Sequence, residues 1–306
     1  MTDFRNERNI IKMETTTDMT LEKGLALFLD TLSGKNRSSA TIRAYKADVR
    51  QLIAYLHENS ISIAYPKDVE KVDILEYLSY LAKRELTGVA RARKLSAIRE
   101  YFRFLEGVGY IQRSPTTGVD TPKRERNTRS YLRSDEYTKM LSLAGSNPRD
   151  YAILQVFLQT GIRVSELVAL KIDDVDFIKP AIKVMGKGRV EREIELEKKG
   201  IQALKNYLAV RPNNIPNNLF LNYLGESISD RGVRKLVIKY KELAGITKKA
   251  SCHALRHTFA TFKAEKGVSP YQLQQWLGHA NIATTQIYVH LGKQNARKIM
   301  EQTSLP

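Results

Sequence analysis

Between Thr20 and Leu105 the apolar residues return every three or four positions and hardly ever alternate, so this stretch can fold only as packed amphipathic helices. Leu21, Leu25, Phe28, Leu29 and Leu32 share one helical face; Thr20 stands where an N-cap belongs and Gly34 where a helix stops. A second pattern begins after Ser38-Ser39 with Ile42, Tyr45, Val49, Leu52, Ile53 and Leu56. A third runs through Val72, Leu75, Leu78 and Leu81, and a fourth turns Leu95, Ile98, Phe102 and Leu105 inward. Four such helices with short connections predict a small all-helical bundle. The outer face of the fourth carries Arg91, Arg93, Lys94, Arg99 and Arg103 against a single acid, Glu100. A face this one-sided either is simply solvated or contacts phosphates.

The composition bears on that choice. Lysine and arginine number 50 against 33 acidic residues, a formal charge of +17 over 306 residues. Such an excess attracts polyanions, of which nucleic acid is the commonest. At about 100–200 residues per domain, the length predicts two domains. Cys252 is the only cysteine, so no internal disulfide forms and a reducing, cytoplasmic setting is expected. Residues 1–18 show no apolar period and read as a flexible tail, without the apolar core of a signal peptide. No stretch approaches the roughly 20 apolar residues of a membrane span, and no membrane partner is expected.

Residues 113–130 change character. They hold Pro115, Gly118 and Pro122, then Lys123, Arg124, Arg126 and Arg129, and predict a linker able to lie along a phosphate backbone. Helices are expected from Ser134-Asp135-Glu136 and from Asn147-Pro148. Residues 181–185 and 191–196 alternate as strands, with Gly186-Lys187-Gly188 as the turn between them, and 219–221 form a short strand-like piece. The organisation predicted is a tail (1–18), a helical domain (19–112), a linker (113–130) and a mixed α+β domain (131–306). The fold class is mainly α with a small β-sheet.

No glycine-rich phosphate loop is present, so nucleotide hydrolysis is not implied. His253 and His257 stand four apart, but Ala254 follows His253 where a zinc protease has its glutamate base, and no dense carboxylate cluster accompanies them; no metal or other cofactor is expected. What remains is a set of cations and a nucleophile. His253 and Arg256 lie three apart on one helical face. Leu277-Gly278-His279 ends one helix and Tyr288 lies on the next, while Arg163 opens a short helix within Thr160-Gly161-Ile162-Arg163-Val164-Ser165-Glu166. Singly, each has a plainer reading: a salt-bridge arginine, a core tyrosine, a solvated turn lysine.

In this order they resemble the tyrosine recombinase (phage integrase) family, most closely its Xer-like members. The family's arginine, turn lysine, His-x-x-Arg, second histidine and tyrosine fall on Arg163, Lys187, His253, Arg256, His279 and Tyr288. The resemblance spans the chain from about Thr20, and makes 19–112 a SAM-like core-binding domain and 131–306 the catalytic domain. Only the tail and Cys252, where proline is common, depart from it.

The resemblance implies a site-specific recombinase that cuts double-stranded DNA at inverted-repeat sites, forms a 3′-phosphotyrosine on Tyr288, and exchanges strands through a Holliday junction as a homo-tetramer. A related recombinase could share that synapse. Chemically the set is coherent. A phosphodiester repels nucleophiles, and two guanidinium forks, Arg163 and Arg256, neutralise it without a metal. His279 would add a donor, and Tyr288, with an ordinary pKa near 10, must lose its proton as it attacks. The resemblance gives that proton to His253, makes Lys187 the general acid, and has Glu166 orient Arg163 or buttress the site. It also implies a helix at about 293–302 that docks on a neighbouring protomer. DNA contacts are expected from Arg91, Arg93, Lys94, Arg99, Lys123, Arg124 and Arg126. A type IB topoisomerase and a DNA-binding relative that no longer cuts stay open, as does the choice between chromosome or plasmid resolution and movement of a mobile element.

Overall fold

The computed structural model describes residues 19–59, 63–123, 130–186, 190–212, 217–248 and 250–278. The chain divides into two compact units, Met1–Asn127 and Thr128–Pro306.

The first unit is helical: α1 (Leu21–Gly34), α2 (Ser39–Asn59), α3 (Lys71–Lys83) and α4 (Gly88–Gly107). The Thr20 hydroxyl accepts the Lys23 N–H, the cap expected at the start of α1. Leu21, Leu25, Phe28, Val49, Leu52, Leu56, Leu95, Ile98, Phe102 and Leu105 form one core. α3 differs from its predicted face. Val72 and Leu75 are exposed, and the helix turns Ile74, Tyr77, Leu78 and Leu81 inward. The shift brings the Tyr77 ring against Tyr55, with centroids 5.2 Å apart, and burying an aromatic ring outweighs burying Val72. Ile111 and Val119 also pack into this core, so the chain beyond α4 folds back on its own unit before Lys123.

The second unit is built on two almost wholly buried helices, α6 (Pro148–Thr160) and α10 (Cys252–Glu265). Around them pack α5 (Ser134–Ala144), α8 (Lys198–Val210), α9 (Asp230–Leu243), the short α7 (Val164–Ala169) and α11 (Pro270–Leu277). Asn147 caps α6 through the Asp150 N–H, with Pro148 at the first helical position as the sequence predicts. The expected strands are present as β2 (Ala181–Met185) and β3 (Glu191–Glu195). The two-residue β1 (Val175–Asp176), too short to show a period, completes an antiparallel sheet of order β1-β2-β3. In the β2–β3 hairpin Met185 pairs with Glu191, and the Gly186 N–H donates to the Val190 carbonyl at 2.8 Å. The predicted strand at 219–221 is reduced to a single bridge, Leu221 to Ser227. No helix among the described residues is long and apolar enough to cross a membrane.

Candidate active site

The site starts from a turn that only glycine suits. α6 ends at Gly161 in the left-handed region, φ +60°, and a Cβ there would lie 2.4 Å from Phe259 Cδ1. The tight turn lets the chain reverse and open α7 with Arg163 at its N-cap. Glu166, one turn later and buried, accepts the Arg163 backbone N–H at 2.7 Å and its Nη1 at 2.7 Å. Arg163 and Glu166 are therefore in direct contact.

Arg256 comes from the buried middle of α10 and is 3% exposed. Its Nη1 donates to the Gly161 carbonyl at 2.8 Å and its Nη2 to the Leu277 carbonyl at 2.6 Å. Arg163 Nη2 donates to the next carbonyl, Gly278, at 2.9 Å. The Trp276 carbonyl, one residue earlier, accepts Arg192 Nε at 2.8 Å. Three consecutive carbonyls at the C-terminal end of α11 thus each hold a different guanidinium, at the helix end where the dipole favours positive charge. Gly278, again left-handed at φ +62°, closes α11 immediately before His279 in the sequence.

Arg192 is the residue sequence reasoning missed. On β3 it shares a face with the buried Ile194, two residues on, and a charged residue on a strand's inner face was the available signal. Its Nη1 and Nη2 donate to the two Glu166 oxygens at 3.2 and 2.8 Å. Burial pushes the Glu166 carboxyl up, but the hydrogen bond from Arg192, that from the Arg163 backbone N–H and the Arg192 charge outweigh it. The net result lies below the ordinary glutamate value.

His253 is exposed, one turn before Arg256, and its ring meets the buried His257 edge-on at 4.6 Å. Thr258 on the same helix accepts the Leu132 N–H at 2.8 Å and donates to the Ala254 carbonyl, anchoring the start of the unit against α10. Burial raises the Cys252 thiol to about 11, which keeps it protonated and unreactive at neutral pH. Among the described residues no group of three or more His, Cys, Asp or Glu is placed to hold a metal.

Of the expected catalytic set the structure brings together Arg163, Glu166 and Arg256, with His253 one turn from Arg256. Lys187, His279, Tyr288 and the helix expected at 293–302 lie outside the described residues, as do Arg124 and Arg126 and the tail 1–18. Of the expected DNA contacts, three are engaged within the first unit. Arg93 grips the buried Asp48 with both Nη atoms (2.5 and 2.8 Å), and Lys94 reaches the same carboxylate at 3.0 Å. Arg99 donates to the Thr121 hydroxyl at 2.8 Å and to the Val119 carbonyl. Arg91 is half-buried and Lys123 exposed.

A helical unit is thus followed by a mixed unit in which Arg163, Arg192 and Arg256 are held at one helix end. Residues 130–295 match the phage integrase family, and residues 25–107 match the phage integrase N-terminal SAM-like domain. The chain belongs to this family. It is 35% identical over 275 residues to a tyrosine recombinase of Pseudothermotoga lettingae, covering 89% of this chain and 94% of that one. It is also 35% identical over 283 residues to tyrosine recombinase XerC of Thermodesulfovibrio yellowstonii, covering 88% and 91%. Its fold is similar to the crystal structure of XerH site-specific recombinase bound to palindromic difH substrate in a post-cleavage complex. There the TM-score is 0.72 at 24% identity, over 89% of this chain and 81% of that one. The chain is therefore a tyrosine recombinase, an enzyme that cleaves and rejoins DNA at specific sites.

Proposed function

We propose that Tyr288 is the nucleophile and that Arg163 and Arg256 are the two forks that neutralise the scissile phosphate. The observation that carries this is the convergence of both guanidiniums on adjacent carbonyls, Gly278 and Leu277, directly before His279 in the sequence. Fixed donors of this kind need no reorganisation as charge builds on phosphorus. The Tyr288 oxygen attacks phosphorus and its proton passes to His253. The bond from phosphorus to the 5′ oxygen breaks, and that oxygen takes a proton from Lys187. His279 gives a further hydrogen bond to the phosphate. The DNA is left as a 3′-phosphotyrosine, which a 5′ hydroxyl from another strand attacks to complete the exchange and regenerate Tyr288. Two guanidiniums supply the positive charge, so the scheme uses no metal and no nucleotide.

Double-stranded DNA bearing inverted-repeat sites is the substrate in this reading, and the palindromic DNA bound by XerH supports it. Four protomers act in the synapse, with residues at about 293–302 docking on a neighbour and with Arg91, Lys123, Arg124 and Arg126 contacting phosphates. Arg93 and Arg99 contribute to that surface through the donors their internal bonds leave, while the largely buried Lys94 supports it by holding Asp48 and Gln51. A cytoplasmic location follows from a DNA substrate and a lone cysteine.

The test is a nicked suicide substrate that traps cleavage, carried out without magnesium. Wild type is expected to give a slow-migrating covalent band, and Tyr288→Phe to bind the same DNA without one. A covalent band from Tyr288→Phe refutes the assignment of the nucleophile.

A further inference from the structure

The scheme above gives Arg192 no part, yet all three of its guanidinium nitrogens donate within the protein. Nε holds the Trp276 carbonyl and the two Nη atoms hold the two Glu166 oxygens, which takes three of the five guanidinium N–H groups, and the side chain is only 12% exposed. Each of its partners leads to a residue of the proposed chemistry. Glu166, clamped on one side by Arg192, receives Arg163 through both its backbone N–H and its Nη1. Trp276 belongs to the last turn of α11, whose next two carbonyls hold Arg256 and Arg163. β3 itself begins four residues after Lys187 in the sequence. The backbone also closes over the guanidinium: a Cβ on Gly278 would lie 3.0 Å from Arg192 Nη1.

We propose that Arg192 is a positioning residue of the cleavage reaction, fixing the Glu166 carboxylate and the Trp276 carbonyl and through them the fork of Arg163. The proposal rests on the reading of Arg163 as a phosphate donor. Lysine cannot replace Arg192 in full, because one ammonium cannot span a carboxylate and a carbonyl with the geometry of a planar fork. The charged groups around Glu166 are Arg163 and Arg192 in direct contact. Lys183 on β2, Glu191 on β3, and Asp173 and Asp174 in the turn before β1 line the adjoining cleft.

The experiment is single-turnover cleavage of the suicide substrate between pH 5 and 9 by wild type, Arg192→Lys, Arg192→Gln and the double variant Arg192→Gln/Glu166→Gln. DNA affinity and thermal unfolding are measured on the same proteins. A misplaced catalytic group costs about 10²-fold in rate, and Arg192→Gln should lose about that much while binding DNA nearly as well as wild type. Its rate should also fall off at a higher pH than that of wild type. Burial still acts on Glu166 while its strongest opposing partner is gone, so the carboxyl takes up a proton sooner and lets go of Arg163. The double variant should lose this raised acid limb, and Arg192→Lys should fall between wild type and Arg192→Gln. Wild-type rate and pH profile in Arg192→Gln overturn the proposal, as does a rate loss matched by an equal loss of DNA affinity. Should Arg192→Gln fail to fold, Arg192→Lys decides: a reduced rate with a raised acid limb supports the role, and wild-type behaviour overturns it. Wild type that forms no covalent complex takes down the proposed function together with this inference. Wild-type cleavage with unchanged Arg192 variants takes down this inference alone.

Discussion

Replacing Gly161 by alanine adds one methyl group at the point where α6 ends and the reach toward Arg163 begins. The residue sits at φ +60°, where an alanine pays a backbone cost of about 1–2 kcal/mol. The methyl would also lie 2.4 Å from Phe259 Cδ1 and 3.0 Å from Leu277 Cδ2, both side chains being buried without slack. Overpacking of that sort costs about 1–3 kcal/mol. Together the two effects remove about 2–5 kcal/mol from a total stability on the order of 5–15 kcal/mol. For a unit of this size the unfolding midpoint should drop by about 4–20 °C.

The clash also reaches the site. Phe259 is one turn from Arg256 on α10, Leu277 carries the carbonyl that holds Arg256 Nη2, and Gly161 itself carries the one that holds Nη1. Relief of the overlap must move at least one of these supports, so cleavage should fall further than DNA binding. Gly245→Ala is the matched control. That glycine is also left-handed, φ +71°, but nothing lies within 4 Å of its Cβ position, so strain alone applies, about 1–2 kcal/mol. Thermal unfolding and suicide-substrate cleavage of the two variants separate strain from packing. Equal destabilisation by both substitutions would refute the claim that Phe259 and Leu277 fix the turn. Undiminished cleavage by Gly161→Ala would refute the claim that the turn's carbonyl places Arg256.

Two further predictions concern buried carboxylates, Asp48 and Glu166. Asp48→Asn leaves Lys94 largely buried and without its charged partner. The expected loss is about 2–3 kcal/mol, below that of a fully buried pair because the half-exposed Arg93 can rehydrate; urea unfolding of the full chain followed by circular dichroism checks it, and a change under about 0.5 kcal/mol refutes it. Glu166 is held below its ordinary value in the folded chain, so its contribution is fully present above the unfolded value near 4.3 and is lost as pH falls through the folded one. The stability difference between wild type and Glu166→Gln should therefore shrink below about pH 4, and a difference constant down to pH 3 would contradict it.

The helices were legible because their apolar period is long and capped: Thr20, Asn147 and the inward set Leu95, Ile98, Phe102 and Leu105 all stand in the structure where the pattern puts them. α3 was misread on one side because a short helix with apolar residues on two faces leaves the choice to tertiary packing, here the fit of Tyr77 against Tyr55. The positive face of α4 was legible as charge but not as bonding. The acceptor that holds Arg93 and Lys94 is Asp48, on another helix some 45 residues earlier, and nothing local announces that pairing. Arg192 was overlooked for a related reason, since it looks like one more charge in an alternating strand until Ile194 shows which face is buried.

The deeper gap concerns backbone. A sequence names side chains, but the groups that gather Arg163, Arg192 and Arg256 are the carbonyls of Gly278, Trp276 and Leu277, whose chemistry is the same in any residue. What the sequence does carry is the means of exposing them. Glycine at 278 permits the left-handed turn that ends α11, and the helix's last carbonyls have no partner within it, so they are left to cations from α7, β3 and α10. The stretch Leu277-Gly278-His279 therefore does more than mark a histidine. It ends a helix where three guanidiniums need acceptors, which makes the helix end a template that holds them before any DNA arrives. A substitution at Gly278 should in consequence disturb all three arginines at once, whereas a substitution at any one arginine leaves the carbonyls of the other two in place.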